Sequence, residues 1–186
     1  MNTTLKTYKE LLENNPFKDR RLVLGEGKIN CKIMLIGEAP GAQEEEQGRP
    51  FVGKAGQNLN AFLTELGLNR NELFISNVVK LRPYKLSPKT NKPVNRPPNK
   101  EEVGFFTTYL LKEIEEINPQ IIVTLGNFAL KAVLQDKNAV IGNYHGKFTY
   151  SNGKKVFPLY HPASIIYNRS LQNVYNADLQ NLKKYI

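Results

Sequence analysis

Residues 32–37, KIMLIG, form a short, nearly continuous apolar run that closes on a glycine, the pattern of a strand buried on both faces of a parallel sheet. LFISNVV at 73–79 and IIVTLG at 121–126 read the same way. Between the first two, QNLNAFLTELGL at 57–68 sets Leu59, Phe62, Leu63 and Leu66 at helical spacing, with Gly67 placed to stop the helix. A helix from about Asn99 to Ile117 precedes the third strand, and a short one from Asn127 to Leu134 follows it. Phe148–Tyr150 and Lys155–Leu159 flank Ser151-Asn152-Gly153-Lys154, whose Asn-Gly signals a hairpin, and Leu171–Tyr185 reads as a closing helix. The alternation predicts an α/β fold: a single three-layer α/β/α domain over residues 1–186, with a central, mostly parallel sheet. Arg82–Pro98 is too rich in proline for a helix or an inner strand and is expected to be a loop.

The chain has 186 residues, with 26 Lys and Arg against 17 Asp and Glu, a net charge of +9. A charge of this sign suggests a polyanionic partner, because clustered Lys and Arg gain affinity for phosphates by releasing condensed counterions, although the basic residues here are spread along the chain rather than forming one tail. The charge alone does not single out nucleic acid. One cysteine, Cys31, with His145 and His161, is a poor ligand set, so no metal site is expected. The N-terminal MNTTLKTYKELLENN lacks a signal peptide's apolar core and no run is long enough to span a bilayer, so a cytoplasmic protein with no membrane partner is expected.

In a parallel sheet the ligand sits beyond the carboxyl ends of the strands. Three loops therefore matter: those after Ile36, after Asn77–Lys80 and after Leu159. The first, GEAPGAQEEEQGRPFVGKAG at 37–56, combines glycines, three consecutive glutamates and an isolated Phe51. Its spacing is neither a P-loop nor a dinucleotide fingerprint, which counts against an unrelated nucleotide-binding domain. By itself it also reads as a solvated acidic turn.

As a string, GEAPG (37–41), Glu44 and GRPFVGKAG (48–56) resemble the first motif of the family 4 branch of the uracil-DNA glycosylase superfamily, and HPAS (161–164) resembles its last. SNVVK (76–80) and VTLGNFAL (123–130) match in order and separation, so the resemblance runs from about Arg20 to the C-terminus. It implies an enzyme that flips uracil out of DNA and hydrolyses its N-glycosidic bond, acting as a monomer on uracil-containing DNA without an obligate protein partner. Such a reaction builds positive charge on the sugar and negative charge on the departing base.

The resemblance makes His161 the hydrogen-bond donor to a uracil carbonyl, and Glu38 and Glu44 the carboxylates that favour the sugar cation and hold the attacking water, in an undivided pair of roles. Ala39 lies beside the base where the family 1 branch carries an aspartate. Asn77 would read O4 and N3–H of uracil, and Phe51 would stack on the ring. Lys80 and Arg169 would hold phosphates, while Ile165 and Ile166 would fill the gap left by the flipped nucleotide. Plainer readings stand beside these: His161 as a structural histidine, Asn77 as a strand end, Phe51 as core beneath the loop, Ile165 and Ile166 as the start of a helix. Glu45 and Glu46 read as solvated charges.

Two departures from the branch stand out. Its members carry four cysteines for an iron–sulfur cluster. Here those positions fall near Leu12 and Asn15, at Leu81 and near Phe106, so an apolar plug in place of a cluster is expected. The Arg82–Pro98 segment is also long and basic, suited either to a DNA-contacting arm or to a strap replacing the cluster; it holds no histidine, which counts against the covalent chemistry of one superfamily member. A non-catalytic DNA-binding relative, or a glycosylase for hypoxanthine or xanthine, remains the alternative.

Overall fold

The computed structural model describes residues 5–186, with the side chains of 165–167 left out. A six-stranded sheet contains β1 (Glu26–Gly27), β2 (Ile33–Gly37), β3 (Phe74–Asn77), β6 (Ile121–Leu125), β7 (Thr149–Ser151) and β8 (Lys154–Leu159) in the order β1-β3-β2-β6-β8-β7. The inner four are parallel and the two edges antiparallel. The strands alternate side chains between two apolar layers. Met34 and Ile36 face the layer of α1 (Lys6–Asn14), α4 (Lys100–Ile117) and α5 (Gly126–Leu134). Ile33 and Leu35 face that of α3 (Lys54–Leu66) and α8 (Leu171–Lys183). A single-turn α6 (Ile141–Tyr144) packs against β8. The expected three-layer α/β/α arrangement is the one observed. Among the described residues no helix is long and apolar enough to cross a membrane.

Local signals account for the helix ends. Asn99 caps α4 by accepting from the Glu102 amide, and Glu102 reaches back to the Asn99 amide, a reciprocal capping box. The Asn152-Gly153 turn joining β7 and β8 has positive φ at both residues, as a type I′ hairpin requires.

Three elements differ from expectation. The loop after β2 contains a short helix, α2 (Ala42–Gln47). α1 carries Tyr8 and Leu11 into the core at helical spacing from the buried Leu5 at its N-cap. The proline-rich segment is a separate two-stranded antiparallel hairpin, β4 (Tyr84–Leu86) and β5 (Pro93–Asn95). Proline is tolerated there because Pro93 opens an exposed strand with no inner ladder to interrupt.

Candidate active site

The parallel pairing of β2 with β3 sets Gly37 directly beside Asn77 at their carboxyl ends. The space above them is a pocket of about 330 Å³ lined by Ala39, Glu44, Phe51, Asn77, Asn95 and His161, among others. Asn77 is buried, yet among the described residues its side-chain amide has no hydrogen-bond partner. The amide lines the pocket, where its oxygen and its NH2 group can meet the edge of a planar ligand.

Gly37 makes the convergence possible. A Cβ there would lie 2.4 Å from Phe51 Cζ and 2.5 Å from Asn77 Oδ1. Phe51 has φ +53, an uncommon region for a bulky residue, costing on the order of 1–3 kcal/mol. The surroundings enforce it: Arg70 donates to the carbonyls of Pro50 and Phe51, and a Cβ on Gly56 would sit 2.0 Å from Phe51 O. The Phe51 ring lies 6.3 Å from the His161 ring, with the planes 28° apart.

His161 follows β8 and caps α7 (Pro162–Tyr167), with Pro162 at the first helical position. Its Nδ1 accepts from the Ala163 amide at 3.2 Å, which leaves Nε2 as the N–H donor. Burial lowers its pKa below 6.5, favouring the neutral ring.

The two carboxylates occupy different places. Glu44 lines the pocket, and its oxygens accept from the amides of Gly41 (3.1 Å), Val52 (2.9 Å) and Gly53 (2.7 Å). Of about four acceptor positions on a carboxylate, one is left. Glu38 lines an adjoining cleft that shares His161 with the pocket, and burial pushes its carboxyl up from the ordinary range.

The expectation that Lys80 holds a phosphate is corrected. Lys80 is wholly buried, and its Nζ donates to Glu113 Oε2 (2.6 Å), Ser76 Oγ (2.5 Å) and the Asn77 carbonyl (2.7 Å). Burial pulls the ammonium pKa down, against the pull of Glu113. The pair supports the backbone of Asn77 from beneath. Glu45 is likewise not simply solvated, since Arg82 Nη1 pairs with it at 3.2 Å. Arg169 is exposed, beside a groove between α3 and α8. Ile165 and Ile166 lie on the α7 backbone, but their side chains are outside the described residues.

Asn95, which no sequence signal singles out, reaches the pocket rim on β5. Arg82 Nε donates to its Oδ1 at 2.8 Å, which turns Nδ2 toward Gly41. Only the pairing of Tyr84 with Asn95 brings it there.

The positions that the resemblance gives to cluster cysteines do not fit a cluster. Leu81 and Phe106 are fully buried in one apolar layer with Leu11, and the Phe17 ring stacks on Phe106 at 5.7 Å and meets Phe105 edge-on at 5.9 Å. Leu12 is 54% exposed and takes no part, and Asn15 is occupied with the backbone of Phe17. Among the described residues no group of three or more His, Cys, Asp or Glu could hold a metal ion.

The model of the Uracil DNA glycosylase superfamily matches residues 24–183. A type-4 uracil-DNA glycosylase of Thermotoga maritima is 39% identical over 168 residues, covering 89% of this chain and 83% of its own. One from Saccharolobus solfataricus is 40% identical over 173 residues, covering 89% and 76%. A type-5 uracil-DNA glycosylase of Pyrobaculum aerophilum is 34% identical over 149 residues, covering 76% and 66%.

Proposed function

Because the chain belongs to the uracil-DNA glycosylase superfamily and is more similar to type-4 than to type-5 members, we propose that it is a DNA-repair hydrolase that excises uracil from DNA and leaves an abasic site. The observation that carries this reading is the unpartnered amide of Asn77, facing a pocket walled by Phe51 and His161. Asn77 can donate to O4 and accept from N3–H of uracil, whereas cytosine reverses both requirements. Phe51 stacks on the ring, and Ala39 leaves room beside it. As the bond breaks, His161 donates Nε2–H to a carbonyl oxygen of the departing uracil anion, a charge best met by a fixed donor in a dry site.

The two glutamates divide the remaining work. Glu44, rigidly held with one acceptor position left, orients the water that captures the sugar. Glu38, in the adjoining cleft that shares His161, supplies negative charge to the developing sugar cation. Arg169 contacts phosphate, and Ile165 and Ile166 occupy the vacated stack. The protein works as a cytoplasmic monomer, one domain over residues 1–186, and needs no protein partner. Release of free uracil from uracil-containing DNA, with an alkali-labile site left behind, tests the reading; intact DNA after long incubation at high enzyme concentration would refute it.

Turnover needs Glu38 ionised and His161 neutral, so activity falls on acidification as both take up protons. Because the Glu38 pKa is raised from 4.5 and that of His161 lowered from 6.5, the two titrations draw together. The acid limb of kcat/KM is expected to be steep, with a two-proton slope, and Glu38→Gln to lower the plateau and leave a one-proton slope. An identical limb in wild type and variant would remove Glu38 from the reaction.

The reading includes no iron–sulfur cluster, the aromatic contacts among Phe17, Phe105 and Phe106 filling its volume. Protein purified without oxygen is expected to be colourless and free of stoichiometric iron; a brown, iron-bearing and active sample would contradict this.

A further inference from the structure

The β4–β5 hairpin carries five cations and no acidic residue between Arg82 and Pro98. The two nearest its base are committed. Arg82 pairs with Glu45 and bonds Asn95 and the Pro93 carbonyl, while Arg96 makes a two-pronged pair with Glu102. The guanidinium of Arg20 lies 4.3 Å over the Tyr84 ring. The base is therefore a fixed strap.

Beyond it the character changes. Lys85, Lys89 and Lys92 are exposed, and among the described residues none of their ammonium groups makes an ion pair or hydrogen bond. Three like charges within eight residues repel one another unless an anion lies among them. Side chains opposite each other in an antiparallel pair share a face, and alternate residues along a strand share it too. Tyr84↔Asn95 and Leu86↔Pro93 are such pairs. The face that brings Asn95 to the pocket rim therefore continues outward through Pro93 and Leu86, which is 54% exposed. From Asn95 to the tip is some five residues, or about 15 Å, the length of roughly four base pairs.

We propose that this hairpin is an arm that grips the DNA flanking the flipped nucleotide: Leu86 with Pro93 lies against the sugars, Lys89 and Lys92 at the tip take backbone phosphates, and Lys85, which pairs with Val94 on the opposite face, takes one by reaching round the narrow two-stranded ribbon. The inference rests on the reading of DNA as substrate. It assigns the arm two parts, a base that walls the pocket and a tip that measures the strand outside it.

The test is the salt dependence of binding, read by fluorescence anisotropy of labelled duplex DNA, which needs no turnover. Uracil release is measured separately, so an inactive pocket and an idle arm give different results. Replacing all three lysines by Gln should flatten the slope of log affinity against log salt by about 2.7, roughly 0.9 for each phosphate no longer neutralised. Replacing all three by Arg should keep the wild-type slope. Both triple variants should melt as wild type does, since the replaced side chains are exposed and unpartnered. A Gln variant that is folded and has the wild-type slope would overturn the proposal, as would an Arg variant as flat as the Gln variant.

Discussion

Asn77→Asp is expected to abolish most uracil excision in a protein that still folds. In the wild type the amide presents a donor and an acceptor on one short, buried side chain, matching O4 and N3–H of uracil. An ionised aspartate sets an acceptor against O4, and the mismatch is worth roughly 1–3 kcal/mol, up to about 150-fold in kcat/KM. Burial raises a carboxyl pKa, so part of the aspartate is protonated and can donate to N3 of cytosine while accepting from its N4 amine. A trace of cytosine excision is the expected companion result. The Asn77 backbone is unaffected by the change: β3 pairs on both sides, and Lys80 still bonds the carbonyl. Steady-state kinetics on matched uracil and cytosine substrates check the shift. Full uracil activity in the folded variant would place base reading elsewhere.

Gly37→Ala should cost as much by a different route. The added methyl would meet Phe51 and Asn77 at distances no real Cβ adopts, so one of them must move. Neither has slack. Phe51 is fixed by its carbonyl's bond to Arg70 and its close fit against Gly56, and Asn77 by its strand. Overpacking of this kind costs about 1–3 kcal/mol of stability, and displacing a positioning group by about an ångström costs about 100-fold in rate. The expected result is a cooperatively folded, slightly less stable protein with kcat/KM down about 100-fold. A variant of wild-type activity would mean that the base does not sit between Phe51 and Asn77.

The inner strands were legible because burial on both faces leaves an unbroken apolar run, as in Ile33–Ile36 and Ile121–Val123. The spacing of Leu5, Tyr8 and Leu11 marks α1 as well, although that segment stands out first for lacking the apolar core of a signal peptide. Other features could not be read locally. The role of Lys80 depends on Glu113, 33 residues away on α4, and a lysine's sequence neighbours do not reveal a buried partner. The arm was hidden because proline argues against inner strands, while an isolated two-stranded hairpin makes no such demand. The separation of the glutamates was out of reach because it depends on the turn of α2, where Glu44 bends back to three amides. The motif residues Glu44, Phe51, Asn77 and His161 do line one pocket, with Ala39. Glu38 lines the adjoining cleft, which shares His161 with the pocket.

The most direct test of the account is single-turnover excision by the wild-type protein on otherwise identical oligonucleotides carrying uracil, thymine, cytosine, hypoxanthine or xanthine at one position. A pocket read by Asn77 and stacked by Phe51 predicts rapid release of free uracil, with the other four strands left intact. Release of hypoxanthine or xanthine at a rate equal to or above that of uracil, or of no base at all, would contradict it.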